Sequence, residues 1–556
     1  MLDFATVTIA SQNPVEIDPR SPAETAAHGA VDDASGPVNG DGGTTGGNPL
    51  NEGGGGNGGG PVNVNSGNGG DPVNGGPFNG SPVDASLIAE LREMIGDDGM
   101  VLRATELKVY ECDGWTLEKS SPEILLRPRT TAEVSAILKL LHRRGIPFVP
   151  RGAGTGLSGG CLPLGAPVMI CTSRMNRILE IDYTSRRIEV ESGVVNLHVT
   201  NAVKGRGMMY APDPSSQVAC TIGGNVAENS GGPHTLKYGV TTNHVLGVEM
   251  VLPDGEIVEL GGPTEECCGY DLVGAIVGSE GTTGIVTRAT LKLTRAPEAY
   301  RTLLAIFADI ENATRAVSAI IAAGIIPGAI EMMDQMIIRA VEAAFHAGLP
   351  EDAGAVLIIE LDGIAAGLDE HARVVTDLVR GAGANEVRLA RDDAERLILW
   401  KARKRAFGAV GRLAPNYATQ DGVVPRTRLP DILRAIIEIS HRHRLRIGNV
   451  FHAGDGNIHP IVLYDERDAD ETHRAVEAGR DILKACVEMG GSLTGEHGIG
   501  VEKMAEMPLI FSPEDLAVMS ELRRVFDPDQ RANPNKIIPV PGACVEVAAP
   551  RRQVAL

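Results

Sequence analysis

Apolar and polar positions follow two different periods within residues 130–149. Thr130 and Glu133 have the spacing of a capping box at the start of a helix. One face of that helix would carry Val134, Ile137, Leu138 and Leu141, and Gly145 would end it. The apolar run 146–149 then predicts a short buried strand. Helices and strands of this kind follow one another from residue 85 onward, which is an α/β pattern.

Residues 1–84 lack any such apolar pattern. They repeat variants of Pro-Val-Asn-Gly and contain ten acidic residues but one arginine, so nearly half of the chain's net charge of −21 lies there. A segment of this composition cannot bury enough apolar surface to offset its chain entropy. We therefore predict a disordered Gly/Asn/Pro-rich tail over 1–84.

Length, charge and cysteine usage limit the classes of function. A chain of 556 residues exceeds one ordinary core, so we expect two or three domains. The net charge of −21 argues against nucleic acid as a partner. No apolar run of about 18 residues and no export signal occurs, which predicts a cytoplasmic chain without a transmembrane segment. Its eight cysteines form no Cys-x-x-Cys pair, so we expect free thiols and no iron–sulfur cluster on this chain.

Three glycine-rich segments lie within residues 151–284. The first, 151–160, has the spacing Gly-x-Gly-x-x-Gly, but the sequence 161–165 after it is a poor helix start, which argues against a Rossmann fold. Loops without side chains can instead turn their backbone N–H groups toward a phosphate. The segments 211–232 and 278–284 extend the pattern. Together they predict one large nucleotide cofactor that lies along all three loops.

Two histidines occupy a further glycine-rich segment, 451–460. His452 and His459 flank the sequence Asp455-Gly456-Asn457, which is a strong turn signal between two apolar runs. We predict a β-hairpin that places both imidazoles on one face. Either histidine taken alone would more often have a structural role than a functional one.

The segment 495–500 adds a carboxylate and a third imidazole, in Glu496 and His497. In a loop flanked by glycines, these neighbours can reach two adjacent points of one site, one as a ligand and one as a base. Two histidines and a carboxylate form an open site for a divalent metal. The two segments together therefore predict a metal-assisted redox or hydrolytic site.

Six segments occur in the order in which one known family has them. They are PRGAGTGLSGG, APDPSSQVACTIGGNVAENSGG, GSEGTTGIVT, FHAGDGNIHP, GEHGIG and the closing NPNK. Over about residues 90–540 the chain resembles the FAD-linked 2-hydroxy-acid dehydrogenases of the vanillyl-alcohol-oxidase fold. Within this family it is most similar to the catalytic flavoprotein subunit of bacterial glycolate oxidase, with D-lactate and D-2-hydroxyglutarate dehydrogenases as near relatives.

The resemblance implies a domain organisation. An FAD-binding domain of two α+β parts would span 90–297, and residues 505–545 would return to it. A substrate or cap domain, an antiparallel sheet with helices over it, would occupy 298–504.

The resemblance also implies which residues bind FAD. They are Arg151, Gly152, Ala153, Gly154, Thr155, Gly156, Ser158, Gly159, Pro212, Asp213, Ser216, Gly223, Gly224, Asn225, Asn229, Glu280, Gly284, Ile285 and Asn533. Some members of the family bind FAD covalently through a histidine of the first loop. Residues 151–160 contain no histidine, so we expect non-covalent FAD.

In the D-2-hydroxy-acid relatives the metal ligands correspond to His452, His459 and Glu496, and the catalytic base to His497. This assignment agrees with the chemistry of the two segments, since a metal-bound hydroxyl is acidified and a histidine can accept its proton. Ligation by nitrogen and oxygen permits zinc, manganese, iron or cobalt, of which we favour zinc.

The family places an arginine for the substrate carboxylate at Arg403, where a planar guanidinium can bind two oxygens. The alternative is a solvated basic helix face that Arg403 shares with Lys401, Lys404 and Arg405. Hydroxyglutarate enzymes have a further lysine for the distal carboxylate, and the matching residues 418–420 offer no cation. We therefore expect glycolate or D-lactate as substrate.

Three functions remain open on the sequence. The first is FAD- and metal-dependent oxidation of a small 2-hydroxy acid, with electrons passed to a quinone or a partner subunit rather than to NAD. If glycolate oxidase is the right comparison, the partners would be an iron–sulfur subunit and a second flavin subunit, and the chain would attach to the periphery of the inner membrane. The second is a non-catalytic FAD-binding subunit, and the third is an alcohol or aryl-ether oxidase of the same fold.

Overall fold

The predicted helix over residues 131–144 begins and ends as its sequence indicates. In the computed structural model, which describes residues 83–264 and 269–539, the helix spans Thr131–Arg144 and the Thr130 hydroxyl accepts a hydrogen bond from the Glu133 N–H at 3.1 Å. Gly145 ends it in the left-handed conformation, with φ of 67°. The Glu133 carboxylate accepts from the Arg129 N–H rather than from the Thr130 N–H, so the capping box is not reciprocal.

The strand that follows begins two residues later than predicted, at Phe148–Arg151 rather than 146–149. Ile146 is buried, but its N–H still bonds to the Leu141 carbonyl of the preceding helix at 2.9 Å. The apolar run therefore predicted the buried segment but not the residue at which the strand begins.

Most of the tail predicted over 1–84 lies outside the described residues. Its last residue, Asp84, caps the first helix by accepting a hydrogen bond from the Leu87 N–H.

A small, mainly parallel sheet forms the first part of the fold. Its elements are α1 (Ala85–Ile95), β1 (Met100–Val101), α2 (Ala104–Leu107), β2 (Ile124–Leu126), α3 (Thr131–Arg144), β3 (Phe148–Arg151) and β4 (Val168–Cys171). The strand order is β1-β2-β4-β3, with β1 antiparallel to β2 and the other pairs parallel. The apolar faces of α1 and α3 cover this sheet.

An antiparallel sheet forms the second part. Its elements are β5 (Ile178–Asp182), β6 (Arg187–Glu191), α4 (Asn196–Val203), β7 (Met208–Met209), α5 (Ile222–Glu228), α6 (Thr235–Tyr238), β8 (Val245–Val251), β9 (Ile257–Gly261), α7 (Leu272–Ile276), β10 (Ile285–Lys292) and β11 (Thr294–Arg295). The strand order is β5-β6-β10-β8-β9, and β7 pairs with β11.

A large antiparallel sheet with helices on both faces forms the third part. Its elements are β12 (Ala299–Phe307), α8 (Ile310–Ala322), β13 (Ala329–Asp334), α9 (Gln335–Phe345), β14 (Ala355–Gly363), α10 (Leu368–Gly381), β15 (Glu386–Leu389), α11 (Asp393–Lys404), α12 (Ala406–Val410), β16 (Asn416–Thr419), β17 (Gly422–Val423), α13 (Leu429–His443), β18 (Arg446–His452), β19 (Asn457–Tyr464) and α14 (Ala469–Glu488). The strand order is β15-β12-β14-β13-β18-β19-β16, and β17 also pairs with β19.

Side chains of β12 alternate between two cores, one on each face of this sheet. Leu303, Ala305 and Phe307 pack under α8, α10, α13 and α14, whereas Leu304 and Ile306 pack under α9, α11 and α12. A strand that is covered on both faces needs apolar residues at successive positions, which explains the run Leu-Leu-Ala-Ile-Phe. The predicted α+β fold is confirmed by this architecture.

The last helix of the described residues, α15 (Pro513–Phe526), leads the chain back to the first sheet. The Phe148 N–H donates to the Arg531 carbonyl at 3.0 Å, and the Asn533 N–H donates to the Phe148 carbonyl at 2.8 Å. Residues 531–533 thus extend the first sheet at the edge of β3.

No helix in the described ranges is long and apolar enough to cross a membrane.

Candidate active site

The predicted hairpin is confirmed, and its register brings two histidines to one face. In the pairing of β18 with β19, Val450 lies opposite His459 and His452 lies opposite Asn457. Residues 450 and 452 point to the same side of a strand, and directly opposed residues share a side. His452 and His459 therefore point the same way, and their ring centroids lie 5.0 Å apart.

Glu496 completes a cluster of three possible ligands. Its Oε1 atom lies 3.2 Å from Nε2 of His452 and 3.2 Å from Nε2 of His459. One ligand atom of each side chain lies within 4.8 Å of the other two. Two imidazole nitrogens and a carboxylate oxygen that converge in this way fit a divalent metal, with positions left open for other ligands.

The opposite nitrogen of each imidazole is fixed by a hydrogen-bond acceptor. Nδ1 of His452 lies 2.8 and 3.0 Å from the two carboxylate oxygens of Glu331. Nδ1 of His459 lies 3.4 Å from the Gln420 carbonyl oxygen. Because a carboxylate and a carbonyl can only accept, both Nδ1 atoms carry the proton, and both Nε2 atoms are directed at Glu496 as metal ligands require.

Charge in this cluster is strongly coupled. Burial opposes a charge on His452, but Glu331 and Glu496 raise the pKa of His452 well above its usual value. Burial likewise opposes ionisation of Glu496, whereas His452 and His459 hold the pKa of that carboxyl well below its usual value. A metal ion would take the place of the Nε2 proton of His452, so binding would release that proton.

Asp421 holds the loop that carries Glu496 and His497. Its Oδ2 atom accepts hydrogen bonds from the Thr494 hydroxyl and from the backbone N–H groups of residues 495–497, at 2.6 to 3.2 Å. The Lys503 ammonium also lies 3.3 Å from this atom, with both side chains fully buried. Asp421, His459 and His497 form a second group with metal-like spacing, but an adjacent ammonium disfavours a cation there.

His497 stacks on His459 with ring centroids 4.8 Å apart and planes at 6°. Its Nδ1 atom is buried and has no hydrogen-bond partner in the described part of the chain. Burial lowers the pKa of His497 to about 4, although Asp421 acts in the opposite direction. The imidazole is therefore neutral at pH 7 and able to accept a proton.

Arg403 lies behind the metal cluster rather than on a solvated helix face. Nη2 of Arg403 is 2.6 Å from Oε2 of Glu331, and both side chains are completely buried. Its three guanidinium nitrogens make no hydrogen bond of good geometry to any residue that the structure describes. Lys404, the next residue, reaches the cavity wall and pairs with Asp213 at 2.9 Å.

A cavity of about 400 Å³ connects this cluster to the glycine-rich loops. His452, His459, Glu496 and His497 line it at one end. Of the residues predicted to bind FAD, those that also line it are Arg151, Gly152, Ala153, Gly154, Thr155, Gly156, Ser216, Gly223, Gly224, Asn225, Glu280, Gly284 and Ile285.

Gly156 shows why this wall suits a large cofactor. Its φ is not in the left-handed region, and a methyl group at Gly156 would meet no atom closer than 3.8 Å. Local packing therefore does not require glycine at this position. The empty space that a side chain would fill belongs to the cavity, as expected for a loop that a ligand approaches closely.

The other residues predicted to bind FAD do not line the cavity: Ser158, Gly159, Pro212, Asp213, Asn229 and Asn533. Asn533 joins two cofactor loops, because its side-chain amide donates to the carbonyls of Gly160 and Glu280 at 2.8 and 2.6 Å. Asp213 pairs with His234 at 3.0 Å and with Lys404. Direct contact of these six residues with FAD stays a prediction.

Several residues of this site were missed by the sequence reasoning. Asp113, Glu228, Lys404, Phe407, Tyr417 and Thr419 line the cavity, and Glu331, Asp421 and Lys503 support the metal cluster. Glu228 lies within the glycine-rich segment 211–232, Thr419 within residues 418–420, and Lys404 next to Arg403, but none of the three was assigned a role at the site. The others are isolated residues in ordinary helices, strands or loops, apart from Asp421, whose pair with Gly422 resembles a turn.

Comparison with known proteins identifies two domain families. Residues 122–261 match the "FAD binding domain" family, and residues 296–537 match "FAD linked oxidases, C-terminal domain". The chain is 46% identical to the glycolate oxidase subunit GlcD of Escherichia coli (strain K12), over 84% of this chain and 93% of that protein. It is 32% identical to the D-lactate dehydrogenase of Anaerostipes hadrus, over 81% of this chain and 95% of that protein.

The fold has solved neighbours of low sequence identity. One is p-cresol methylhydroxylase with bound substrate, at a TM-score of 0.69 and 17% identity over 81% of this chain and 96% of that one. This likeness concerns the fold alone. It confirms the predicted architecture of an FAD-binding domain with a second, antiparallel domain.

Proposed function

This chain belongs to the FAD-linked oxidases, in the group that contains the glycolate oxidase subunit GlcD and D-lactate dehydrogenases, and from that premise we propose that it oxidises glycolate or D-lactate to the 2-oxo acid. It is an FAD-dependent oxidoreductase, as predicted. The observation that supports this substrate class best is the convergence of His452, His459, Glu496 and His497 on the cavity that the FAD loops also line.

We assign the site residues roles in this reaction. FAD, when bound, accepts a hydride, and a divalent metal, when bound, acidifies the substrate hydroxyl. His452, His459 and Glu496 would hold that metal through Nε2, Nε2 and Oε1. The glycine-rich loops would hold FAD without a covalent bond.

His497 would act as the general base. Its imidazole is neutral and partly buried, and it stacks on His459 beside the metal ligands. A neutral histidine can take the proton of the substrate hydroxyl while the Cα–H bond breaks.

Two cations are candidates for the substrate carboxylate. Arg403 is paired with Glu331 and does not line the cavity. Its guanidinium nitrogens nevertheless make no hydrogen bond of good geometry to a described residue, which supports the role that the family resemblance implies. Lys404 lines the cavity but is already paired with Asp213. Of residues 418–420, Thr419 lines the cavity. This position therefore offers no cation for the distal carboxylate of a dicarboxylic substrate. A small monocarboxylic substrate is favoured over D-2-hydroxyglutarate for this reason.

Electrons would leave the flavin for a quinone or a partner subunit. The relative GlcD is named as a subunit, and this chain has no Cys-x-x-Cys pair of its own for an iron–sulfur cluster. We therefore propose that partner chains, if present, carry any such cluster. A cytoplasmic location and zinc as the metal are parts of the same proposal.

The test is anaerobic reduction of the purified flavoprotein. Glycolate, D-lactate, L-lactate and D-2-hydroxyglutarate are added one at a time, and the visible absorbance of the flavin is followed. Rapid bleaching by glycolate or D-lactate is expected. Flavin that stays oxidised with all four acids would favour the non-catalytic subunit instead, and fast bleaching by D-2-hydroxyglutarate alone would overturn the argument from residues 418–420.

A further inference from the structure

Glu228 is a partly buried acid that the proposed reaction does not use. It ends α5 and lines the cavity. A methyl group at Gly160 would lie 2.8 Å from its Oε1 atom, and one at Gly498 would lie 2.5 Å from Oε2. The carboxyl group is thus held between the first glycine-rich loop and the loop of His497. Its Oε2 atom is buried and has no hydrogen-bond partner within the described ranges.

The charges around Glu228 disfavour a carboxylate. The carboxyl groups of Glu280 and Asp113 lie close enough to repel it, whereas Lys503 attracts it. Lys503 is itself paired with Asp421 at 3.3 Å. Burial in the first place, and these two acids in addition, raise the pKa of Glu228 well above its usual value. These surroundings favour the neutral acid, which has one O–H donor and one C=O acceptor.

Glu280 is not available for the same purpose. Its two oxygens accept hydrogen bonds from the backbone N–H groups of Ile499 and Gly500, at 2.7 Å each. Glu280 therefore fixes the 495–500 loop against the third glycine-rich loop, and Glu228 is the acid beside it whose Oε2 lacks a partner.

We propose that Glu228 binds the polar edge of the flavin ring, donating one hydrogen bond to a ring carbonyl and accepting one from the ring N–H. The pyrimidine part of a flavin carries an N–H between two carbonyls, which a neutral carboxyl group matches with both of its oxygens. The ring must lie near His497 for hydride transfer, and Gly498 places Glu228 beside that loop. The inference depends on the proposed function in one respect, because that function requires the flavin ring to lie near His497.

The first test is FAD binding by apoprotein, without any substrate, so that failure of the proposed dehydrogenase reaction would not affect the result. Glu228→Leu keeps the approximate size of the side chain and removes both hydrogen bonds. We expect about tenfold weaker FAD affinity in a fluorescence titration, with a shifted visible absorption spectrum of the bound flavin. Glu228→Gln also donates and accepts, and it should bind FAD within about twofold of the wild type.

The matched control is Glu506→Leu. Glu506 is a buried glutamate whose pKa is also raised by burial, and it does not line the cavity. Unchanged FAD affinity of Glu228→Leu would overturn the proposal. So would equal losses in Glu228→Leu and Glu506→Leu, or a Glu228→Gln variant as weak as Glu228→Leu.

A second measurement needs only folded wild-type protein and the glutamine variant. Infrared difference spectra between the FAD-bound and free forms should contain the carbonyl stretching band of a protonated carboxyl group that shifts on binding. This band should be absent from Glu228→Gln. If no such band responds to FAD, or if it persists in Glu228→Gln, the proposal is wrong.

Discussion

Arg403 and Glu331 form a completely buried ion pair, with Nη2 of the arginine 2.6 Å from Oε2 of the glutamate. The same glutamate receives the Nδ1–H of His452. The three residues come from α11, β13 and β18, so this chain of contacts ties three elements to one ligand. Arg403 therefore affects the metal cluster through Glu331, whether or not it also binds the substrate.

Glu331→Gln is expected to weaken metal binding without removing a ligand. The amide is uncharged and leaves His452 Nδ1–H without its carboxylate, a change that typically lowers metal affinity by about 10- to 100-fold. It also leaves the buried Arg403 unpaired, and breaking a buried pair in this way costs about 3–5 kcal/mol of stability. Competition with a chromogenic chelator measures the first effect, and urea unfolding measures the second.

Glu342→Gln is the control for that prediction. Glu342 is a buried glutamate of α9 in the same domain, and its side chain accepts from the Leu349 N–H at 2.8 Å. It should keep the wild-type metal affinity. If Glu331→Gln binds metal as tightly as Glu342→Gln does, the carboxylate of Glu331 does not orient His452 for a metal.

His497→Ala should retain FAD but lose rapid flavin reduction. The side chain contacts His459 and lines the cavity, whereas the FAD loops remain intact. Loss of a general base typically slows the chemical step by about 10²- to 10⁴-fold. Anaerobic stopped-flow reduction by glycolate or D-lactate measures the rate, and the exposed His473→Ala serves as control. Reduction of His497→Ala at the control rate would remove His497 from the mechanism.

Local sequence was sufficient to predict the hairpin of the site. The turn residues 455–457 and the apolar runs around them define both strands, and the two-residue period of a strand then places His452 and His459 on one face. The glycine-rich loops were found for a similar reason, because close approach to a ligand requires small residues in a contiguous run.

The supporting residues could not be predicted, because their partners are distant in sequence. Glu331 is 121 residues from His452, and Asp421 is 76 residues from His497. Neither residue stands in a motif, and the order of strands in the large sheet is what brings β13 next to β18. Arg403 was predicted from family resemblance as a substrate ligand, but its burial against Glu331 became visible only in the folded chain.

Chelation of the metal should abolish activity, and a divalent metal should restore it. The two Nε2 atoms and Glu496 Oε1 offer three ligands, and His459→Ala removes one of them. We expect metal content well below one ion per chain in His459→Ala and full content in the control His371→Ala, whose side chain is exposed on α10. Elemental analysis after dialysis gives both values. A wild-type enzyme that stays active after prolonged chelation, with no metal detected, would exclude the ion from the reaction.

The His234 imidazole should make the folded state less stable as the pH rises above neutrality. Its Nδ1 lies 3.0 Å from Asp213 and its Nε2 lies 3.4 Å from Glu360. Burial alone would lower the pKa of His234, but these two carboxylates raise it to about 10. Because the folded pKa exceeds the ordinary value of 6.5, the stabilisation is complete below that pH and is lost as the pH rises toward about 10.

Urea unfolding at pH 7 and pH 9.5 tests this expectation, with His234→Gln as the comparison. The carboxylates keep other partners in the variant, since Lys404 pairs with Asp213 and Arg396 pairs with Glu360. The wild type should therefore lose more stability between the two pH values than the variant does. An equal loss in both proteins would show that His234 does not hold a proton in the folded state over this range.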